Sequence, residues 1–227
     1  MKNSTNILLC FLFGIIALFW FYPFIIVIIN ALKGKRGIFQ NPLWFTRDFT
    51  FSNFKTAYQA LDFTSSFFNS LVITVASVIV ITLVSAAAAY ALSRVKGPFS
   101  SILYYLCAGT MLIPFQSIMI PLLSLFGKVN FLNRTSLVIM NTGLSVSLSI
   151  ILFYGAFQGV SKTLDEAAAL DGAYPFKTFV YIIFPAVSPM TGTVVILNAM
   201  KIWNDYLLPS LVVNKDGMYT IPLKMYS

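Results

Sequence analysis

The chain has 227 residues, of which 58% are hydrophobic and only 10% are charged, and its formal net charge is +8. Soluble domains usually carry about 25% charged residues, so this composition indicates a membrane protein. The chain contains no histidine, which leaves little support for a zinc site or for histidine-based acid and base catalysis.

Five apolar stretches are long enough to cross a bilayer, which takes about 20 residues. We therefore predict an all-α, polytopic membrane protein with about five transmembrane helices, at residues 7–29, 68–92, 102–126, 136–157 and 184–208. The first stretch follows Lys2 but exceeds the roughly 7 to 15 apolar residues of a secretory signal, so we expect a retained helix. Cys10 and Cys107 fall inside predicted spans, where a buried free thiol is the default and neither a disulfide nor a metal site is expected.

Basic residues are distributed among the connections between these spans and form no single basic face. This pattern argues against nucleic-acid binding and favours contacts with acidic lipid headgroups. Their count conflicts with a cytoplasmic amino terminus, because the larger basic set would then lie outside, against the positive-inside rule. The short connection with Arg94 and Lys96 instead favours a cytoplasmic location for that loop.

Residues 158–185 separate the fourth and fifth predicted spans, and we call them the EAA segment because they contain Glu166-Ala167-Ala168. Thr163 and Glu166 have the spacing of a capping box, and Asp165 and Glu166 fall in the first turn, where the helix dipole favours acidic side chains. Gly172 can adopt the left-handed conformation that ends a helix. These signals predict a helix at residues 164–171, about two turns long and too short to be stable unless it docks against another surface.

Small side chains cover the sides of this predicted helix, at Ala167, Ala168 and Ala169. A narrow alanine surface suits insertion into a groove of a partner protein, but an ordinary loop helix packed on its own protein explains the same pattern. Pro175 is placed to begin a second helix, because a proline in the first turn loses no helical hydrogen bond. We expect that helix to run to residue 184 and to kink at Pro185, before the fifth span.

Polar residues inside the predicted spans are candidates for a substrate path, since a polar group in a membrane is a functional hint by default. We select Ser145 and Ser149 in the fourth span and Asn198 in the fifth. Helix packing is an alternative for all three and the preferred interpretation of Asn198. Lys201 lies near enough to the end of its span for its ammonium group to extend to lipid headgroups.

The EAA segment contains a longer pattern: Glu-Ala-Ala, three residues, Gly, nine residues, Ile, one residue, a large apolar residue and Pro. The last four defined positions are Gly172, Ile182, Phe184 and Pro185. The pattern is similar to the signature of the membrane subunits of ATP-binding-cassette importers, which usually have Leu where Phe184 stands. Further stretches resemble the carbohydrate branch of these permeases, the maltose-type subunits: Phe68-Asn69-Ser70, Tyr90-Ala91-Leu92-Ser93-Arg94, Ile113-Pro114-Phe115-Gln116, Met119-Ile120-Pro121-Leu122, Trp203-Asn204-Asp205-Tyr206 and Tyr219-Thr220-Ile221-Pro222.

The resemblance implies a single transmembrane permease domain over residues 1–227, with the EAA segment as a cytoplasmic coupling loop and the amino terminus in the cytoplasm. The chain would translocate a sugar or oligosaccharide across the cytoplasmic membrane by alternating access. Members usually have a sixth transmembrane helix after the Tyr-Thr-Ile-Pro stretch, so we expect that helix to be missing here. By the same resemblance, the residues that couple to an ATPase are Glu166, Ala167, Ala168, Asp171, Gly172, Ile182 and Pro185.

The implied partners are a pair of cytoplasmic ATP-binding subunits, a second permease subunit and an extracytoplasmic sugar-binding protein, while no cofactor is implied. The sequence agrees that ATP is hydrolysed elsewhere, because neither Gly34-Lys35 nor Gly127-Lys128 has the upstream glycine of a phosphate-binding loop. One alternative is a self-sufficient secondary transporter or channel, which would normally need acidic residues within the membrane, where only Asp205 is available. A membrane-embedded enzyme is a weaker alternative, since convergent catalytic groups are missing. The particular sugar and the identity of the second permease stay open.

Overall fold

The computed structural model describes the backbone of residues 2–45 and 49–226, with side chains from residue 6 onward except those of residues 7 and 8. Within this part the chain is helical, and its single β feature is an isolated antiparallel bridge between Lys33 and Phe49. The predicted all-α class is confirmed. The helices are α1 (Lys2–Ala31), α2 (Lys35–Gln40), α3 (Ser52–Ala60), α4 (Phe63–Arg94), α5 (Pro98–Thr110), α6 (Phe115–Lys128), α7 (Arg134–Gln158), α8 (Thr163–Leu170), α9 (Pro175–Thr178), α10 (Phe184–Ala186), α11 (Ser188–Trp203), α12 (Leu207–Val212) and α13 (Ile221–Met225), with a π-helical turn at Phe179–Ile183.

Residues 1–63 form one compact unit. Its candidate span is Leu9–Ala31, and α1 continues through Pro23 without a break. Lys33, just after this helix, is fully buried, and its Nζ donates hydrogen bonds to Asn30 Oδ1 at 3.1 Å and to the Asn41 carbonyl at 2.6 Å. This lysine therefore joins the end of α1 to the residue that follows α2 and is not a free charge in a loop.

Residues 64–227 form the second unit, whose core lies between α4 and α7. One side of α4 is a stripe of small and hydroxylated residues that is buried in the structure. Ile81 of α4 packs with Leu137 of α7 in one apolar cluster, and Ala89 of α4 packs with Phe153 and Phe157 of α7 in another. The two long helices thus form the frame on which the rest of this unit is placed.

Three of the predicted spans are single helices: Leu9–Ala31, Phe63–Arg94 and Arg134–Gln158. The predicted span 102–126 is instead two helices, Pro98–Thr110 and Phe115–Lys128, that meet at 102°. Pro114 explains this break, since it donates no backbone hydrogen bond and disfavours a helical conformation at the residue before it.

The predicted span 184–208 is likewise not a single helix. Residues 175–186 and 188–203 form a pair bent by 79°. Pro185 and Pro189 each remove a backbone donor here, and the non-helical residue between α10 and α11 is Val187, two residues beyond the predicted kink at Pro185. The structure therefore has three unbroken candidate spans among its described residues, or up to five if each bent pair counts as one.

Gly172 ends α8 as predicted. Its φ is +78°, the Gly172 amide donates to the Ala169 carbonyl at 3.0 Å, and the Ala173 amide donates to the Ala168 carbonyl at 2.9 Å. This pair of hydrogen bonds is a Schellman motif, which requires a left-handed residue that glycine adopts without a steric cost.

The predicted capping box is wrong. The residue before α8 is Lys162, and its side chain makes no capping hydrogen bond. The Thr163 amide donates to Ser161 Oγ at 3.3 Å instead, so the Ser161 hydroxyl accepts the hydrogen bond of one amide in the first turn. The helix bounds differ from the predicted 164–171 by one residue at each end.

The second helix of the EAA segment begins at Pro175, as predicted, but the expected regular helix to residue 184 is not observed. Four α-helical residues are followed by the π-helical turn and then by the three-residue α10. A π-helical turn widens the backbone locally, so the covalent connection from α9 to α11 is irregular at two places, the π turn and Val187.

Candidate functional site

Arg94, the last residue of α4, connects three parts of the second unit. Its Nε donates to Asp165 Oδ2 of α8 at 2.9 Å. Nη1 donates to the carbonyl of Phe157 at 3.2 Å, and Nη2 donates to the carbonyl of Val160 at 3.4 Å. Tyr90, one helical turn earlier, donates its hydroxyl hydrogen to Asp165 Oδ1 at 2.6 Å. We call this group of residues the Arg94 clamp.

The Arg94 clamp is largely shielded from water, since the two charged side chains are 14% and 22% exposed. Asp165 and Arg94 form the one salt bridge within residues 2–45 and 49–226. Both carboxylate oxygens and all three guanidinium nitrogens have partners, so the desolvation of the two charges is offset by hydrogen bonds. The geometry fixes α8 against the ends of α4 and α7.

An aromatic cluster lies beside the clamp. Tyr90 stacks on Phe179 with ring centroids 5.0 Å apart and meets Phe157 edge-on at 5.9 Å. Phe179 also contacts Phe184 at 5.7 Å. Since aromatic pairs add packing energy beyond their buried area, this cluster holds the π-helical turn against the same two long helices.

The surface of α8 that faces away from the clamp is open. Ala168 is only 4% exposed, whereas Ala167 and Ala169 are exposed. One alanine thus packs on its own protein and two are exposed, and insertion of this surface into a groove of a partner protein stays a prediction. Leu170 is 90% exposed, and no sequence signal singled it out.

The predicted coupling residues gather on this short helix and its turn. Glu166, Asp171 and Gly172 are exposed beside the free alanines. Ile182 and Pro185 are exposed farther along the EAA segment, in the π-helical turn and in α10. Their role in coupling stays a prediction.

Asp165 is the residue that the sequence reasoning missed. Its position in the first turn of α8 suggested only a contact with the helix dipole, but its carboxylate is the acceptor of the clamp. The available signal was the combination of a carboxylate at the start of the EAA segment with Arg94 at the end of the Tyr-Ala-Leu-Ser-Arg stretch.

A cavity of about 690 Å³ lies beside the break between α5 and α6 and is bounded by α7, α11 and α12. Asn198 and Ser145, two of the three candidate path residues, line it, whereas Ser149 does not. Ser149 Oγ instead accepts a hydrogen bond from Asn198 Nδ2 at 3.0 Å. Asn198 therefore both joins α11 to α7 and borders the cavity. The polar lining residues are Thr110, Gln116, Asn141, Ser145, Ser147, Asn198, Lys201 and Asp205.

The sequence predicts that Lys201 extends toward lipid headgroups, but its side chain is bonded within the protein. Its Nζ donates to Ser145 Oγ at 3.0 Å and to the Leu144 carbonyl at 3.4 Å, on the wall of the cavity. Asp205 Oδ1 accepts hydrogen bonds from the amides of Leu207 and Leu208, so it caps α12 from the same cavity. The described lining thus has one cation, one carboxylate and many neutral hydrogen-bonding groups.

The arrangement contains no cluster suited to metal chemistry. Within the described part of the chain, no group of three or more His, Cys, Asp or Glu side chains converges. Cys10 is exposed, contrary to its expected burial, and Cys107 is half-buried; both are free thiols. The site is therefore a polar cavity next to a clamped surface helix.

Residues 81–226 match the model of the family described as the binding-protein-dependent transport system inner membrane component. The chain belongs to this family. It is 46% identical to the probable starch degradation products transport system permease protein AmyC of Thermoanaerobacterium thermosulfurigenes, over 96% of this chain and 80% of that protein. It is 35% identical to the multiple sugar-binding transport system permease protein MsmG of Streptococcus mutans, over 90% of this chain and 75% of that protein.

A solved structure shares the fold. The crystal structure of a bacterial ABC transporter involved in the import of the acidic polysaccharide alginate contains a chain that superposes with a TM-score of 0.81 at 26% identity, covering 99% of this chain and 79% of that one. The predicted resemblance to importer permeases is confirmed by these comparisons. The chain is accordingly a multi-pass permease of the cell membrane.

The energy of the Arg94 clamp can be measured with a double-mutant cycle. We expect Arg94→Gln and Asp165→Asn each to lower the stability of the purified protein by about 1 to 3 kcal/mol, because each leaves a mostly buried partner without its counter-charge. The double variant should lose less than the sum of the two, since neither charge remains unpaired. The thermal unfolding midpoint in detergent is the measurement.

Glu166→Gln is the matched control for this cycle, because it removes a neighbouring exposed carboxylate and should change stability by less than about 0.5 kcal/mol. Strictly additive effects of the Arg94 and Asp165 substitutions would show that the two side chains do not interact.

Proposed function

We propose that this chain is the permease subunit of an ATP-binding-cassette sugar importer, which moves a sugar or oligosaccharide into the cell by alternating access. The names of its relatives support the substrate class, since they describe transport of starch degradation products and of multiple sugars. The cavity lining supports an uncharged polyhydroxylated solute, because its one cation and one carboxylate balance and its other polar groups are amides and hydroxyls. Sugars are bound by such hydrogen-bonding groups set among apolar side chains.

In this proposal the energy comes from a pair of cytoplasmic ATP-binding subunits. The observation that carries this step is the two-sided character of α8: one side is held by the Arg94 clamp, and the other is free and ends in the almost fully exposed Leu170. Tyr174 and Phe176, which follow in the EAA segment, are 62% and 67% exposed. An exposed apolar surface of this kind marks a site of protein contact.

The remaining partners follow from the importer type. A second permease subunit would complete the cavity, which one chain encloses only in part, and an extracytoplasmic binding protein would deliver the sugar. This arrangement places the EAA segment and the amino terminus in the cytoplasm, with the connection that carries Arg94 and Lys96 on the same side.

Closure of the ATPases around ATP would displace α8, and the Arg94 clamp would pass that displacement to α4 and α7. The covalent route to α11 is less direct, because it contains the π-helical turn and a bend of 79°. Since α7 and α11 border the cavity, movement of α7 relative to α11 would change which side of the membrane the cavity faces.

Leu170 is the first residue to test in this mechanism. Leu170→Ser should weaken copurification of the ATPase subunit with the affinity-tagged chain from its native cells, because burying a leucine contributes about 2 kcal/mol, or more than tenfold in affinity. Sugar uptake should fall in parallel. Val129→Ser, which changes a 69% exposed apolar residue between α6 and α7, is the control and should leave both readouts unchanged. Undiminished copurification with Leu170→Ser would contradict the docking role.

The orientation can be tested by cysteine labelling in a variant with Cys10 and Cys107 replaced by serine. An impermeant maleimide should modify Ala167→Cys and Ala169→Cys in inside-out vesicles from which the ATPase subunits have been removed, but not in intact cells. Ala168→Cys should react slowly from either side because this position is buried. Labelling of the two exposed positions in intact cells would place the EAA segment outside.

A further inference from the structure

A second cavity, of about 190 Å³, lies among the carboxyl ends of α4 and α7 and the start of α5. Its volume equals that of about six water molecules, taking about 30 Å³ for each, which is enough for a phosphate group. Its polar lining residues are Ser93, Lys96, Ser100, Ser101, Tyr154, Gln158 and Lys162. The lining, which lies entirely in the described part of the chain, contains no carboxylate.

Two lysines, both exposed, give the lining of this cavity its positive charge. Lys96 and Lys162 have no ion-pair partner within residues 2–45 and 49–226, whereas the nearby Arg94 is paired with Asp165. Two cations beside one polar cavity raise its local potential and favour an anion. Ammonium groups and hydroxyls together are suitable donors for the oxygens of a phosphate ester.

The cavity lies where two candidate membrane spans end. The candidate spans Phe63–Arg94 and Arg134–Gln158 both end at it.

We propose that this cavity binds the headgroup phosphate of an anionic phospholipid, with Lys96 and Lys162 as its cationic ligands. The site is separate from the 690 Å³ cavity and goes beyond the proposed function. Lys162 directly precedes α8, so a lipid bound by Lys162 would contact the EAA segment. The position of that segment would then depend on which lipids the adjoining leaflet contains. That leaflet is the cytoplasmic one in the orientation proposed above, and it is rich in anionic lipids.

Native mass spectrometry of the purified complex tests this site by titration with phosphatidylglycerol. Each lysine near an anionic lipid surface contributes about fivefold in affinity, so the double variant Lys96→Gln, Lys162→Gln should bind the lipid about 25-fold more weakly. The double variant Lys128→Gln, Lys215→Gln removes the same charge from exposed positions outside the cavity and should bind as the unmodified chain does. Replacing Lys96 and Lys162 by arginine should keep the affinity.

Equal phosphatidylglycerol binding by the unmodified chain and the Lys96, Lys162 glutamine variant would overturn the proposal. Inorganic phosphate serves as a competitor: failure to displace the lipid at millimolar concentration supports a lipid ligand, and complete displacement would show that free phosphate is the ligand instead. Copurified ATPase is quantified in the same samples. Absence of the ATPase would contradict the proposed function, whereas the lipid proposal would still be decided by the phosphatidylglycerol titration alone.

Discussion

The ion pair between Arg94 and Asp165 is the contact on which the position of the EAA segment depends. α8 has only eight residues, and the side chain of Lys162, the residue before it, makes no capping hydrogen bond, so the helix is too short to be stable alone. Arg94 holds this short helix in place, because its guanidinium group bonds Asp165, the Phe157 carbonyl of α7 and the Val160 carbonyl just after α7 at the same time. Charges shielded from water interact more strongly than exposed ones, so this pair joins a weak element to the two most regular helices of the unit.

Because the other candidate spans of the second unit are broken, the ion pair between Arg94 and Asp165 is the most direct route by which movement of α8 could reach the membrane helices of the proposed importer. The α5–α6 pair bends by 102° and the pair leading into α11 bends by 79°, and both breaks follow from prolines that remove backbone donors. Irregular backbone at membrane depth is tolerated where protein or a water-filled cavity satisfies it, and the 690 Å³ cavity adjoins the first of these breaks. The clamp therefore acts on two straight helices, and one of them, α7, forms the wall of the cavity together with the bent ones.

The sequence predicts local features of this fold well and long-range ones poorly. Hydropathy located all five apolar stretches, and Gly172 and Pro175 marked the end of one helix and the start of the next, because these signals depend on neighbouring residues alone. The bend near Pro114 was not predicted, since membrane helices also tolerate proline without a break, as α1 does at Pro23. The kink predicted at Pro185 is present as the bend at Val187, two residues farther on. The capping box failed because Ser161 competes for the Thr163 amide. Asp165 and Lys201 were misjudged because their partners, Arg94 and Ser145, are more than fifty positions away.

The number of ATP molecules hydrolysed per sugar transported, measured in proteoliposomes with the complete transporter, tests the role of the Arg94 clamp most directly. With Asp165→Asn, the account predicts that the ATPase subunits stay bound through the exposed surface of α8, while sugar transport falls much more than ATP hydrolysis, so that the ratio rises severalfold. An unchanged ratio in a complex that still contains its ATPase subunits would contradict the claim that the clamp transmits their movement.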